Sequence, residues 1–450
     1  MHLPFLVLPT DGLRGIAAFV VVWHHSSLLY FSWGIHNAWH EENGWFIQLP
    51  IVRVLIAGIP AVCIFFVISG YAISLKLLRL SHQRKSAEFA DALASSLFRR
   101  HPRLFMPATA VLFISAIMSY FGAFATEPWS KSVAIATRVP PKSDTFIGQL
   151  LDWAHHSMAM GYPIRNMINS RDANAYDPNL WTLPVEFGSS MLVFTLLAVT
   201  HKLRPFTRMG FTLALITYFF SKAEPNVLLF VCGMFMADIR TYLTLREDAR
   251  PQLPVTVDGA TPRWANFKHR VFGCRIFNST FARRLGAILA FVFCIYMLSI
   301  PEFERGAADA PFYGILVSLV PQVYHDAGLA TYFWIPIGAI ALVAVVDHNP
   351  FLQRMFNSWL AQYLGKISFS LYLIHGPLLW SWGAWLAPRF IPTGEDVTTS
   401  QYGWGVVLCY LCFWPLAIYE ADLVTRLIDT KSVAFTRWIY NKLTIRADTP

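Results

Sequence analysis

Charged residues are scarce in this chain of 450 residues, since Asp, Glu, Lys and Arg make up only 14% of it. A soluble domain carries about 25% of these residues. Hydrophobic residues reach 55% and aromatic residues 15%, so a fold in water would leave large apolar surfaces exposed. The composition excludes an ordinary soluble protein and indicates that a lipid bilayer solvates much of the chain.

Cysteine is also rare, with six residues, and most of them stand in apolar stretches. Cys409 and Cys412 form a C-x-x-C pair inside the apolar run Gly405–Trp414. A zinc site of this type needs a second pair of ligands, and none accompanies it. We therefore expect free buried thiols and no metal.

The N-terminal region does not show the pattern of a cleavable leader. Little positive charge precedes the first apolar run, and no small-residue cleavage site follows it. We expect that run to be a retained membrane span. The chain also lacks internal repeats and heptads, and it leaves the oligomeric state open.

Long apolar runs are abundant. A helix satisfies its own backbone hydrogen bonds in lipid, so we predict an all-α polytopic helical bundle that forms a single membrane domain over residues 1–450. Ten runs are candidate spans: Leu13–Leu29, Val54–Leu78, Phe105–Phe124, Leu180–Thr200, Phe206–Phe220, Asn226–Ala237, Leu285–Ile300, Thr331–Val346, Ser368–Trp385 and Tyr402–Glu420. The stretch Pro311–Val323 is short for a span and is either re-entrant or interfacial.

The net charge of +9 has two interpretations. A basic excess can indicate a nucleic-acid partner, but Lys and Arg also collect in the cytoplasmic loops of membrane proteins. With ten spans, the basic segments after spans two, four, six and ten all fall on one side, which the positive-inside rule makes cytoplasmic. We predict both termini in the cytoplasm, residues 421–450 as a cytoplasmic tail, and no nucleic-acid partner. The membrane is an endomembrane or the plasma membrane.

Three segments outside the spans carry further expectations. The largest outside segment runs from Ala125 to Asn179, and its length suggests structure of its own, such as a lid over a site. The stretch Glu247–Asn278 is expected to be a cytoplasmic loop, so its glycosylation sequon at Asn278 stays bare. The tail Ala421–Leu443 has the mixed charge of an amphipathic helix that lies on the membrane.

The first span combines an arginine and a histidine at helical spacing. Arg14 and His25 are eleven residues apart, about three turns, so they share a face roughly 16 Å apart. His24 points about 100° away, and Asp11 can pair with Arg14 one turn on. A charge inside a span marks a functional site by default. The alternative is a snorkelling arginine and an interfacial histidine.

Two other spans contain small or acidic residues. Ser69 and Gly70 in the second span form a small pair that admits either another helix or a ligand. Glu186 is an isolated carboxylate just inside the fourth span. Such a group is expected to face the protein interior and a cationic partner.

Arginines gather at the inner start of the third span, at Arg99, Arg100 and Arg103. Guanidinium groups can clamp phosphates with their planar fork of donors. They can equally well bind anionic lipid on the cytoplasmic side.

A polar stripe lies late in the chain. Ser368, Tyr372 and His375 follow i, i+4, i+7 spacing and therefore share one helix face. His375 is either a second titrating group or a structural histidine.

These five blocks occur together and in order, and the chain resembles the acyltransferase 3 family of membrane acyltransferases, closest to its fungal branch, from Pro9 to about Trp438. The opening block matches the family's Asp-Gly-Leu-Arg-Gly-Ile-Ala-Ala run and identifies Arg14 and His25 as the family's key pair. The other matches are Phe65–Tyr71, the segment of Arg100, Arg103 and Pro107, the block around Glu186, and Gly365–His375. Phe187 and Gly188 depart from the bacterial pattern, which has a second Glu and a Gln there.

The resemblance implies acyl-CoA as the donor, with acetyl as the simplest acyl group. The acceptor would be a hydroxyl of a small metabolite, such as a secondary metabolite, or of a glycan or lipid. Arg14, Arg100 and Arg103, with Ser69, would hold the CoA. His25 would take the proton of the acceptor hydroxyl, or would first accept the acyl group itself.

Supporting roles follow from the same resemblance. Glu186 or Asp11 would orient a cationic partner or stabilise the imidazolium, and Ser69 or Tyr372 would donate to the developing oxyanion. An alternative from another class is a proton-coupled transporter of a small solute, since such carriers also hold intramembrane Arg, His and Glu.

Overall fold

A computed structural model describes residues 9–31, 33–41, 44–125, 139–164, 174–248, 280–301, 311–394 and 396–444. These residues form helices and connecting loops, and no strand occurs among them. The all-α prediction is thus confirmed for this part of the chain. Apolar runs become helices because a helix alone closes all its backbone hydrogen bonds within one segment.

Seven α-helices occur among the described residues up to Asp248. They are α1 (Pro9–Tyr30), α2 (Gly58–His82), α3 (Ser86–Tyr120), α4 (Phe146–Met160), α5 (Thr182–Thr200), α6 (Pro205–Ser221) and α7 (Pro225–Asp248). Short 3₁₀ turns at Trp33–His36, Phe46–Gln48, Val52–Ile56 and Pro178–Trp181 lie in the connections.

Nine more helices, several of them short, occur in the part of the second half that the structure describes. They are α8 (Thr280–Leu298), α9 (Gly314–Ser318), α10 (Gln322–Asp326), α11 (Trp334–His348), α12 (Pro350–Phe356), α13 (Trp359–Leu378), α14 (Ala384–Phe390), α15 (Thr399–Val424) and α16 (Thr430–Leu443). A 3₁₀ turn at Ala330–Tyr332 precedes α11, and π-helical turns at Leu379–Gly383 and Thr425–Asp429 extend α13 and α15.

Helices α1 and α13 run parallel and form the centre of the bundle. Arg14 contacts Ser368 near one end, and His25 contacts His375 near the other. A methyl group added at Gly15 would overlap the backbone of Gly365, so only glycine permits this separation. Small residues at a crossing let two membrane helices approach closely, which places the polar residues of both helices side by side.

Helix α2 runs antiparallel to α1, and its first residue, Gly58, meets the His24 ring. Its other neighbour is α7, and any side chain at Gly70 would strike the Phe230 backbone. A buried cluster of three ionisable side chains joins α2, α6 and α7. There Arg208 pairs with Asp238 at 2.6 Å, and Asp238 also contacts His82 at 2.7 Å. A buried ion pair needs such additional hydrogen bonds to offset its desolvation.

Seven helical segments of the described chain are long and apolar enough to cross a membrane. They begin at Gly58, Ser86, Pro178, Pro225, Phe281, Ala330 and Thr399. The other three predicted spans fall on α1, α6 and α13. Helix α6 has only 17 residues, while α1 and α13 contain the polar residues of the predicted site. The count of ten and the cytoplasmic termini remain predictions.

The segment from Ala125 to Asn179 has structure of its own, as its length suggested. Its described part includes α4, which lies antiparallel along α3. Trp153 donates its indole hydrogen to the Thr109 carbonyl at 3.2 Å, and His101 donates to the Gly161 carbonyl at 2.6 Å. None of its described residues lines the pocket that contains Arg14, and the role of a lid stays a prediction. Residues 249–279, including Asn278, lie outside the described residues.

The tail is a continuous extension of α15 through the π-helical turn, and α16 lies against the first half of α3. Tyr440 packs on Phe98 with ring centroids 5.4 Å apart, and the Thr436 hydroxyl approaches the Met106 sulfur at 3.9 Å. The amphipathic helix was therefore predicted correctly as a helix, but its inner face contacts protein. Trp438 on its other face is exposed.

Candidate active site

A pocket of about 370 Å³ lies among α1, α2, α3, α5, α13 and the junction of α15 with α16. Its wall contains six cationic side chains: Arg14, Lys76, Arg99, Arg100, Arg103 and Lys366. Only two acidic side chains, Glu186 and Asp429, line it. An excess of four positive charges in one concave site attracts a ligand with several negative charges.

Glu186 accepts hydrogen bonds from two helices at one side of the pocket. Arg100 on α3 donates to its Oε1 at 2.7 Å, and Ser69 on α2 donates to the same oxygen at 3.2 Å. The Arg100 Nε–H also donates to the Ser190 hydroxyl at 3.0 Å. The sequence predicted a cationic partner for Glu186, and this partner is Arg100. Since Glu186 neutralises Arg100, the remaining cations carry the attraction for anions.

Arg14 projects from α1 towards α13. Its Nε–H donates to the Ser368 hydroxyl at 3.1 Å, and its Nη2 donates to the Gly365 carbonyl at 3.1 Å. Asp11, expected to pair with it, forms no ion pair with Arg14 in the described part of the chain, because the guanidinium bridges to the neighbouring helix instead. Both partners of Arg14 are uncharged, so its positive charge stays available to a ligand.

The hydroxyls predicted to stabilise an oxyanion are already engaged. The Tyr372 hydroxyl donates to the Asn179 carbonyl and lies 2.6 Å from the Thr182 hydroxyl. The Ser69 hydroxyl donates to Glu186. Each must give up that hydrogen bond before it can donate to a reacting carbonyl. The structure therefore favours an anchoring role for both hydroxyls, since each joins two helices.

Four imidazole rings form a continuous row beyond the pocket. His25 and His375 have ring centroids 5.0 Å apart, His24 lies 5.0 Å from His25, and His36 lies 5.0 Å from His24. His25 is half-buried, whereas His24 is buried and donates from Nδ1 to the Ile56 carbonyl at 2.6 Å. His24, which the sequence assigned to another face, is thus held by packing and a backbone carbonyl.

His375 has a defined tautomer. Its Nδ1–H donates to the Tyr372 carbonyl at 2.5 Å, so its Nε2 bears the lone pair. This Nε2 is buried and has no hydrogen-bond partner among the described residues. A neutral imidazole in this state can accept a proton, so His375 stands beside His25 as a second potential base.

The pocket and the histidine row are adjacent along α13. Tyr372 lines the pocket, and His375 lies three residues farther on, about 4.5 Å along the axis. No histidine among the described residues lines the pocket itself. A reactive group bound near His25 must therefore be carried on an extended arm from any anion held beside Arg14.

Three charged lining residues were not assigned to the site from the sequence: Lys76, Lys366 and Asp429. Lys76 follows Ser69 by seven residues, so helical spacing alone could have placed both on one face. Lys366 lies in the same block as Ser368. Asp429 lies in the π-helical turn before α16, and only tertiary packing brings it to the pocket. Such π-helical turns frequently occur at functional sites.

Comparison with known proteins identifies the family of the chain. A family model described as an acyltransferase domain matches residues 10–420. O-acetyltransferase PaAT-1 of Phomopsis amygdali is 38% identical over 96% of this chain and 84% of its own length. Acyltransferase R4 of Phoma sp. is 26% identical over 82% and 78%, and acyltransferase clz18 of Cochliobolus lunatus is 24% identical over 90% and 86%. No solved structure matches the chain.

These similarities extend over nearly the whole chain, and the matched range spans the positions of the predicted site residues. They decide between the two function classes that the sequence left open, since the relatives are acyltransferases by name and none is a carrier by name. The chain is an O-acyltransferase that belongs to the acyltransferase 3 family.

Proposed function

We propose that this enzyme is a multi-pass membrane protein that transfers an acetyl group from acetyl-CoA to a hydroxyl of a small molecule. The observation that carries the proposal is the excess of positive charge in the pocket next to the histidine row. Coenzyme A has a phosphomonoester of about −1.5 to −2 charge and a diphosphate. Its negative charge is therefore attracted to the positive charge of the pocket. The name of the relative PaAT-1 supports acetyl as the acyl group.

The phosphates of the donor would lie against the cations that have no acidic partner within ion-pair distance. Among the described residues these are Arg14, Lys76, Arg99, Arg103 and Lys366. Arginine presents a planar fork that suits phosphate oxygens, and lysine acts as a point charge. Arg100 contributes less directly, because Glu186 holds it. Glu186 is therefore a positioning residue in this proposal.

The thioester end of the donor would extend along α1 towards His25. The neutral imidazole removes the proton from the acceptor hydroxyl as its oxygen attacks the thioester carbonyl. The carbon–sulfur bond then breaks, and the departing thiolate takes the proton back from the imidazolium. The products are the acyl ester and free CoA, and no metal takes part. His375, 5.0 Å away, can orient His25 or share its proton.

Direct binding of acetyl-CoA tests the donor assignment. We expect saturable binding of radiolabelled acetyl-CoA to the purified protein. The binding should be weaker at high salt, because salt screens the attraction between the pocket cations and the phosphates. Arg103→Glu should weaken binding at least tenfold. Arg283→Glu, on the exposed start of α8, is the matched control and should not. Absence of saturable binding to the folded wild-type protein would contradict the proposal.

The acceptor class needs a second measurement. Mass spectrometry of small molecules from cells with and without the active enzyme should reveal a compound that loses one acetyl group when the enzyme is removed. The same loss should appear in cells with His25→Ala. If the lost mass corresponds to a longer acyl group, the assignment of acetyl is wrong while acyl transfer stands.

A further inference from the structure

A second cavity, of about 510 Å³, lies on the other side of α13 from the α1 contact. It is a groove between α3, the π-helical turn after α13, and α15. Its wall is almost entirely apolar, with Met118, Leu378 and Leu416 as typical members. Small-molecule sites are apolar clefts of about 300–1,000 Å³ with a few polar groups. The groove has the size and lining of such a site.

One carboxyl group interrupts the apolar wall. Glu420 on α15 lines the groove and takes part in none of the ion pairs within the described chain. A carboxyl group among apolar side chains is costly unless it has a hydrogen-bond partner. Ser115 and Ser381 also line the groove, but their hydroxyls donate to carbonyls of their own helices. Glu420 is thus the acceptor that a ligand would meet.

The groove opens sideways between apolar side chains. Ile114, Trp385 and Leu423 line it and are exposed on the outside of the bundle, at 46%, 45% and 41%. In a membrane these side chains face hydrocarbon rather than water. A molecule can therefore enter this groove from the bilayer. The inner pocket, with its charged wall, suits a ligand from water instead.

We propose that the groove binds an apolar, uncharged molecule through a hydroxyl that it donates to Glu420. The apolar wall excludes a highly charged ligand, because such a ligand would lose its hydration without compensation. Two sources supply this chemistry, namely the acyl acceptor itself or a membrane lipid with a free hydroxyl. Ile374 in the wall is the chain neighbour of His375, so the groove lies at the level of the histidine row. This inference does not depend on the identity of the donor.

Photolabelling tests the proposal. The purified protein in phosphatidylcholine vesicles is exposed to a long-chain alcohol that carries a diazirine, and to its methyl ether. Mass spectrometry then locates the crosslinks. We expect the alcohol to label the segments of α3, α13 and α15 around the groove at least tenfold more than the ether, because only the alcohol can donate to Glu420.

Two variants with matched controls sharpen the result. Leu416→Trp fills the groove and should abolish this labelling, whereas Leu411→Trp, on the exposed face of the same helix, should not. Glu420→Leu removes the acceptor oxygen and should abolish the preference for alcohol over ether, whereas Glu224→Leu on the surface should keep it. Equal labelling in Leu416→Trp and wild type, with the protein folded, overturns the proposal. So does an unchanged preference in Glu420→Leu.

The source of the ligand is read from the same samples after acetyl-CoA is added. If the alcohol bound in the groove becomes acetylated, the groove holds the acceptor. If it stays unmodified while the enzyme acetylates other compounds, the groove holds a lipid hydroxyl. Acetyl-CoA binding is measured in parallel. If the wild-type protein binds acetyl-CoA but its groove is not labelled, this inference alone is refuted. If the groove is labelled but acetyl-CoA does not bind, only the donor assignment is refuted.

Discussion

His25 and His24 are neighbours in the sequence but have different surroundings. His24 is buried, donates to the Ile56 carbonyl, and fits against Gly58. His25 is half-buried, and its ring contacts that of His375 at an angle of 34°. The difference of about 100° between successive helix positions was enough to predict this separation. The contact between the two rings, at 5.0 Å, was not foreseen.

At this scale we predict that His25→Ala abolishes transfer. General-base help contributes about 10²–10⁴-fold, so the turnover number should fall by at least about 100-fold. Acetyl-CoA binding should persist, since the phosphates lie at the other end of the donor. Steady-state kinetics with thermal unfolding of the purified protein checks both. His24→Ala is the control and should lose far less activity. A drop of only a few-fold in His25→Ala would contradict the mechanism.

Glu186 and Arg100 should behave as a coupled pair. Their hydrogen bond is 2.7 Å long and both side chains are largely buried. We expect a double-mutant cycle of Glu186→Gln and Arg100→Gln to give a coupling of about 0.5–3 kcal/mol in the free energy of unfolding. The KM for acetyl-CoA should change more than kcat, because Glu186 positions a binding residue. Strict additivity, or a kcat loss as large as that of His25→Ala, would refute this role.

Among the helices, α16 differs most from its sequence prediction, because one of its faces packs against protein. Its mixed charge predicts a helix at the membrane surface, yet Val433 and Thr436 line the pocket while Phe435 faces outward. A C-terminal segment therefore completes a site that begins at Arg14. Amphipathicity predicts that one face of a helix is buried, and it does not distinguish lipid from protein as the burying surface.

This arrangement predicts that a charge on the inner face of α16 disturbs donor binding. Val433→Glu places a negative charge in the pocket and should raise the KM for acetyl-CoA about tenfold or more at low salt, with a smaller effect at high salt. Phe435→Glu, two residues away on the outer face, adds the same charge and should leave the KM unchanged. Kinetics at two salt concentrations tests this. Equal effects of both variants would place the tail away from the donor.

In the whole molecule, the charge pattern of the sequence and the packing of the helices are consistent with one orientation in the membrane. Arg14 and the arginines of α3 line the same pocket, and the sequence predicts that the basic segments lie on that side of the membrane. By the positive-inside rule we expect that side to be the cytoplasm. A pocket for acetyl-CoA would then open where this water-soluble donor is made available.

Topology is the prediction that follows. In sealed microsomes, a protease-sensitive tag at either terminus should be digested from the cytoplasmic side. A tag inserted between residues 126 and 138 should be protected until the membrane is opened. A glycan on Asn278 or protection of either terminus would reverse the orientation and move the pocket to the wrong side for a cytoplasmic donor.

The amino-acid sequence alone was enough to predict the helical membrane fold and to select candidate polar residues for the site. Scarce charge, long apolar runs and helical spacing suffice for this, because lipid permits few ways to satisfy a backbone. It also led from Arg14, His25 and Glu186 to the acyltransferase family. The packing of the helices was needed to show that Arg100 pairs with Glu186 and that the His375 ring contacts His25. It was also needed to show that Asp429 and α16 line the pocket. These contacts join segments that are far apart in the chain, so they leave no local pattern in the sequence.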